Sequence, residues 1–275
     1  MTQHTVSPGH AESTDNFGET EKAGHTDHYA PEGLLTRGTV VVVPGRGETR
    51  ATYARFGRRL AADAYRVRVV DPPRAGAGDP AGSPDAFGAR LAQAVAGTAD
   101  GDGVVRPLVL VGADLGAAAV AALLAREEAQ DLEPDGVVLA GLPGSATSSV
   151  DTWDAELDVR TSCPTHRGVL SDDAEVRRGS LGEPVPDSLL DAAYEGTVAA
   201  PTLLLVGDAD PLADHEGLAR IAKSLPRARL SLVRGAHHDV LNDVQHRSVA
   251  AEVVTFLETV RGGLVPQVVV ESSAW

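Results

Sequence analysis

From residue 38 onward, short β-branched runs alternate with Ala- and Leu-rich stretches whose apolar residues recur at helical spacing. The strand candidates are residues 39–43, 66–71, 108–111, 136–140, 202–206 and 229–233, and most are nearly continuous apolar runs. Strands covered on both faces read this way, whereas half-exposed strands alternate. The helix candidates include residues 53–64, 87–96, 116–129, 213–225 and 245–260. Strand–helix alternation of this kind predicts an α/β fold with a doubly wound, mostly parallel sheet.

Two regions break the pattern. Residues 1–35 hold almost no aliphatic side chain before Leu34, too little apolar area to offset ordering, so they are expected to form a disordered tail. The tail's His4, His10, His25 and His28 are irregularly spaced and read as solvated rather than as metal ligands. Between residues 145 and 200, Pro, Gly and charged residues are common and no strong strand occurs, as expected of a lid inserted between two strands. The expected organisation is a tail (1–35), a first core part (36–144), the lid (145–200), a second core part (201–262) and a C-terminal extension (263–275).

Composition narrows the function. The 275 residues are 43% hydrophobic and 23% charged, which suits one globular unit and excludes collagen, coiled coil and disorder of the whole chain. A formal charge of −15 repels phosphate backbones and anionic headgroups, so no nucleic acid is expected and a small-molecule substrate is. The single cysteine, Cys163, allows no internal disulfide. The N-terminal stretch has no basic segment followed by an apolar run, and no segment approaches the roughly 18 apolar residues of a membrane span. A cytoplasmic protein without membrane insertion is expected, with no cofactor and no metal.

One segment carries candidate chemistry. The strand at 108–111 runs into Gly112-Ala113-Asp114-Leu115-Gly116 and then an Ala-rich helix. Strand, Gly-x-nucleophile-x-Gly and helix form an elbow in which small flanking residues permit a strained reversal that exposes the central side chain. The plainer alternative makes the glycines turn residues and Asp114 a helix N-cap. Two downstream turns favour the elbow. Gly207-Asp208-Ala209-Asp210 follows the strand at 202–206, and Gly235-Ala236-His237-His238-Asp239 follows that at 229–233. Both lie at carboxyl ends of strands, where open α/β sheets gather ligand groups, and the chain order is nucleophile, acid, histidine.

With these motifs the chain resembles the α/β-hydrolase superfamily, in particular its monoacylglycerol lipase, lysophospholipase and serine aminopeptidase-like branch. The likeness spans about residues 38–260 apart from the lid. Pro44-Gly45-Arg46-Gly47-Glu48 is similar to that branch's His-Gly-x-Gly-Glu turn, with Pro44 in place of His. The resemblance implies Asp210 as acid and His238 as base, with Asp208 and His237 as neighbouring alternatives, and backbone N–H groups of Arg46 and Leu115 as the oxyanion hole. The elbow departs from the branch by carrying Asp114 where Ser is usual. No other Gly-x-Ser-x-Gly exists, since Ser180 follows Arg178-Gly179 with no strand leading in.

A carboxylate attacks without a base, so His238 is free to serve a second step with water. This resembles epoxide hydrolases and haloalkane dehalogenases and implies an uncharged or aliphatic carbon electrophile, an epoxide or a relative. Carboxylic esters fit less well, because attack on them leaves a mixed anhydride. The halide-gripping Trp of the dehalogenases is absent, as Leu115 follows the nucleophile. Of the two lid tyrosines usual in epoxide hydrolases only Tyr194 is present, beside Trp153, Arg160 and His166 as other lid candidates for substrate contact. For Arg160, His166 and Arg167 the favoured reading is ion pairing with Asp154, Glu156 and Asp158. Two other functions stand beside the hydrolase: a non-covalent acid–base enzyme, and a non-catalytic binding protein on the same fold.

Overall fold

The structure is a computed structural model that describes residues 18–22, 24–73, 83–126, 132–145 and 150–273. Six strands form the parallel part of one sheet: β3 (Gly38–Val43), β4 (Tyr65–Val70), β5 (Leu108–Ala113), β6 (Gly136–Ala140), β7 (Thr202–Gly207) and β8 (Ala228–Val233). Two antiparallel strands, β1 (Glu19–Lys22) and β2 (His25–His28), extend it beside β4, giving the order β1-β2-β4-β3-β5-β6-β7-β8.

Successive strand residues point to opposite faces, so each apolar run feeds two cores. Val40, Val42, Val109 and Val111 face α1 (Ala54–Ala62) and α8 (His246–Arg261), meeting Phe56, Leu60, Val253 and Phe256. Val41, Val43, Leu108 and Leu110 face α2 (Pro84–Ala96), α3 (Leu115–Leu124) and α7 (His215–Ser224), meeting Leu91, Val120 and Ile221. Every residue of β3, β5, β6 and β7 is buried, as their unbroken apolar runs require.

The sequence-based tail needs correction. Residues 19–22 and 25–28 are strands, although they lack aliphatic side chains. Ladder hydrogen bonds and buried charge order them instead: Asp27 is fully buried and accepts bonds from Arg68 Nε and Nη2, each at 2.6 Å. A tally of apolar area alone misses that contribution. The tail residues 1–17, with His4 and His10, lie outside the described residues.

The lid carries α4 (Trp153–Arg160), α5 (Pro164–Asp172), a 3-10 turn (Ser180–Gly182) and α6 (Asp187–Glu195). Leu157, Leu170, Val176 and Trp153 form its own small cluster, while Leu190 and Ala193 of α6 join the main core. No helix among the described residues is long and apolar enough to cross a membrane.

Candidate active site

Asp114 links β5 to α3 with φ 47° and ψ −120°, outside the ordinary allowed regions for a residue with a side chain. Such backbone holds on the order of 1–3 kcal/mol of strain and persists only where its surroundings enforce it. The flanking glycines allow it: a Cβ on Gly112 would lie 2.6 Å from Ala117 Cα, and one on Gly116 only 2.3 Å from Val43 O. The bend lifts the Asp114 side chain above the sheet. No cap hydrogen bond ties that carboxylate to the first turn of α3, which removes the plain N-cap alternative.

The carboxylate meets groups from two other strand ends. His238 Nε2 lies 3.1 Å from Asp114 Oδ1, and His238 Nδ1 lies 2.9 Å from Asp210 Oδ2. The first contact is an ion-pair approach without a well-aligned hydrogen bond, whereas the second is a hydrogen bond. Leu212 N–H donates to Asp210 Oδ1 at 2.9 Å and fixes the carboxylate that orients the ring. The neighbours point elsewhere: Asp208 accepts from Gly235 N–H, and His237 pairs with Asp243 at 3.0 Å.

Burial alone would drive charge out of this cluster, but mutual pairing outweighs it. Against burial, the Arg46 charge and the close approach of His238 hold the Asp114 carboxyl well below the usual range. Burial lowers His238, yet the Asp210 charge and the close approach of Asp114 push it up to about 10. Both shifts favour the charged ring between its two carboxylates.

Arg46 contributes more than the sequence suggests. Its backbone N–H donates to Asp114 Oδ2 at 2.7 Å. Its guanidinium also grips both carboxylate oxygens, with Nε 2.9 Å from Oδ2 and Nη2 2.8 Å from Oδ1. The remaining nitrogen donates to the lid carbonyls of Glu183 at 2.6 Å and Leu181 at 3.3 Å. One buried side chain thus joins elbow and lid. Beyond it opens a cavity of about 810 Å³ whose walls include Phe87, Leu115, Ala119, Leu123, Val185 and Leu189, with Arg46 but not Asp114 on its surface.

The lid candidates lie off that cavity wall. Arg160 is fully buried between Glu156 (2.9 Å) and Asp239 (3.5 Å) and donates to Arg46 O at 2.7 Å. His166 bonds Asp239 at 2.8 Å, Arg167 pairs with Asp158, and Trp153 Nε1 donates to Ser171 Oγ. The buried Tyr194 hydroxyl has no hydrogen-bond partner among the described residues and packs by Gly217. Ion pairing thus absorbs Arg160, His166 and Arg167, with Asp239 as a partner the sequence did not suggest. The atoms of Glu48, His166 and Asp239 converge within 4.8 Å in metal-ligand fashion, but the Arg160 guanidinium already supplies the positive charge there.

The sequence reading left Glu48, Tyr53 and Asn242 without roles. Glu48 is buried beside Asp114, accepts a 2.7 Å bond from Gly45 N–H and a short one from the Tyr53 hydroxyl. Its position three residues after Gly45 in the Pro-Gly-Arg-Gly-Glu turn was the available signal.

The fold is that of the α/β-hydrolases, with the site at the carboxyl ends of its strands. Residues 183–266 match the family described as TAP-like protein. No curated protein sequence matches the chain. Among solved structures, a soluble variant of monoglyceride lipase from Saccharomyces cerevisiae has 16% identity and a TM-score of 0.66, covering 93% of this chain and 99% of its own. A monoacylglycerol lipase of Paleococcus ferrophilus has 20% identity and a TM-score of 0.65, with coverages of 86% and 98%. MenH from S. aureus has 13% identity and a TM-score of 0.57, with coverages of 87% and 100%. The similarity to these structures is one of fold.

Proposed function

We propose that this chain is a cytoplasmic hydrolase that uses Asp114 as nucleophile on an uncharged, largely aliphatic carbon electrophile such as an epoxide. The observation that carries the reading is an imidazole 3.1 Å from a carboxylate held in a strained elbow, with a second carboxylate on its far side. In the first half-reaction an Asp114 oxygen attacks carbon, the bond from carbon to the leaving oxygen or halide breaks, and an alkyl ester forms. A halide departs as the anion, and the opened epoxide oxygen takes a proton from solvent. Loss of the Asp114 charge removes one of the carboxylates that hold the proton on His238, making the ring a stronger acid. In the second, water adds to the ester carbonyl while the N–H of Arg46, joined by that of Leu115, steadies the oxyanion. His238 then protonates the departing alkoxide.

The apolar cavity suits an aliphatic group, and the Arg46 guanidinium stands between that cavity and Asp114. Substrate therefore has to shift Arg46, whose bonds to Leu181 and Glu183 couple that shift to the lid. The similarity to monoacylglycerol lipases extends to the fold, but a carboxylate at the elbow does not lend itself to their serine chemistry.

A second reading, a non-catalytic ligand binder, is favoured by the same guanidinium, which occupies both Asp114 oxygens at rest. Single turnover in oxygen-18 water with a medium-chain terminal epoxide and a 1-bromoalkane separates the two. Covalent catalysis puts label into the Asp114 peptide, and His238→Gln accumulates an adduct there. Turnover with label only in product would overturn the covalent route, and binding without turnover would favour the second reading.

A further inference from the structure

Against Asp114, and sharing no wall residue with the apolar cavity, lies a second cavity of about 10 Å³, the space of a single water. Its lining includes Glu48, Tyr53, Asp114, His238, Asp239 and Asn242. Two buried polar atoms of these residues, Glu48 Oε1 and Asn242 Oδ1, have no hydrogen-bond partner among the described residues, and His238 Nε2 has only its ion-pair approach to Asp114. Buried polar atoms are rarely left so, and two of them beside one water-sized space, with the His238 ring, form a built site for a small hydrogen-bonding molecule. The two carboxylates also converge across Gly45, where a Cβ would lie 3.0 Å from Glu48 Oε2 and 3.1 Å from Asp114 Oδ2.

We propose that this small cavity holds the hydrolytic water and that Glu48 is the base that takes its proton when the Asp114 ester is cleaved. The proposal rests on the covalent reading above. It divides the work between two groups. His238 carries a proton at rest and so begins as an acid. Burial, and then the Asp239 charge, push Glu48 up to about 7, opposed by the Arg160 charge, the Tyr53 hydroxyl and His166. Asp114 and His238 complete the charged groups facing it across the cavity.

The step balances. Water oxygen bonds to the ester carbonyl carbon as one water proton passes to Glu48. The carbonyl–alkoxy bond then breaks, and the alkoxide leaves with the proton of His238. Asp114 is left as a carboxylic acid that returns its proton to the ring, and Glu48 releases its own to solvent. No oxidant or further reactant is needed.

The test is mass spectrometry of the full-length protein during turnover of a medium-chain terminal epoxide, at several pH values. In Glu48→Gln the adduct on Asp114 forms but breaks down about 10²-fold or more slowly, in the range of a lost general base. Wild-type breakdown rises with pH through about 7, and this rise is absent in Glu48→Gln. Glu48→Asp keeps the carboxylate and recovers part of the rate; Tyr53→Phe keeps it in place, moves the pH limb and serves if Glu48→Gln does not fold. An adduct that persists in His238→Gln but clears normally in Glu48→Gln, or in Tyr53→Phe with an unmoved limb, overturns the role of Glu48 and leaves the covalent reading standing. No adduct in any variant overturns both.

Discussion

At the antiparallel edge of the sheet and at the elbow, an arginine grips a buried aspartate, and the two sites do different work. Asp27 lies directly opposite Arg68 in the β2–β4 ladder and takes its Nε and Nη2 at 2.6 Å each. Arg66 at 3.5 Å, the Tyr29 hydroxyl at 3.1 Å and, more distantly, His25 Nε2 at 3.9 Å surround it. Its backbone is ordinary strand, and the pair holds the edge in register. Asp114 is gripped as firmly by Arg46, yet its backbone is strained, an imidazole faces it and an apolar cavity opens beyond its arginine. Arginine pairing is therefore no mark of chemistry. Enforced strain together with a close imidazole is what sets the elbow apart.

The largest expected effect breaks the comparison through activity. Asp114→Asn removes the charge proposed to attack carbon, and adduct formation is expected to fall by about 10⁴-fold or more, as for loss of a nucleophile. Asp27→Asn leaves the rate unchanged in the fraction that folds. Rapid-quench mass spectrometry on both variants measures this, and an equal loss in the two would abolish the distinction.

Stability comes next. Asp27→Ala strands the Arg68 guanidinium, itself buried, and is expected to cost about 3–5 kcal/mol in urea unfolding, the range for breaking a buried pair. A loss below about 1 kcal/mol would mean that Ala94 O and water satisfy Arg68 unaided.

Acid and alkali then separate the two sites. The Asp27 carboxyl is lowered against its burial by the bond and charge of Arg68, so its stabilisation is present above pH 3.8 and is lost as pH falls below it. His238 is raised to about 10, so its stabilisation is full below pH 6.5 and is lost as pH climbs from 6.5 towards 10. Asp27→Ala should flatten the acid limb of a stability profile and His238→Gln the alkaline limb. An alkaline limb untouched in His238→Gln would mean the ring is neutral at rest.

The legibility of these features followed the physics that made them. Doubly covered strands announce themselves as apolar runs, so β3, β5, β6 and β7 were readable to within a residue or two, and the turns after β5, β7 and β8 gave Asp114, Asp210 and His238. The β1–β2 pair was invisible because it is ordered by Asp27 and Arg68, 41 positions apart, and periodicity carries no record of such a pair. The Arg46 side chain escaped for a related reason. A turn motif specifies its backbone, whereas the direction of its longest side chain depends on what the lid offers, here the carbonyls of Leu181 and Glu183. Arg160 and His166 were seen as ion-pair formers, but Asp239, their shared partner, arrives from the far side of the chain.

The smallest effect is one of sign. Replacing Ala by Gly within a strand costs roughly 0.5–1 kcal/mol, because glycine loses more backbone freedom on folding. At position 27 the Gly variant should therefore unfold at lower urea than the Ala variant. At position 114, with φ at 47°, an alanine Cβ carries the strain that glycine escapes, and the order should reverse by about 1 kcal/mol. The four variants share the loss of a carboxylate, so the difference within each pair isolates the backbone from the ion pair. If Gly is the less stable at both positions, the elbow is not strained, and what separates Asp114 from Asp27 reduces to the close approach of His238 and the apolar cavity beyond Arg46.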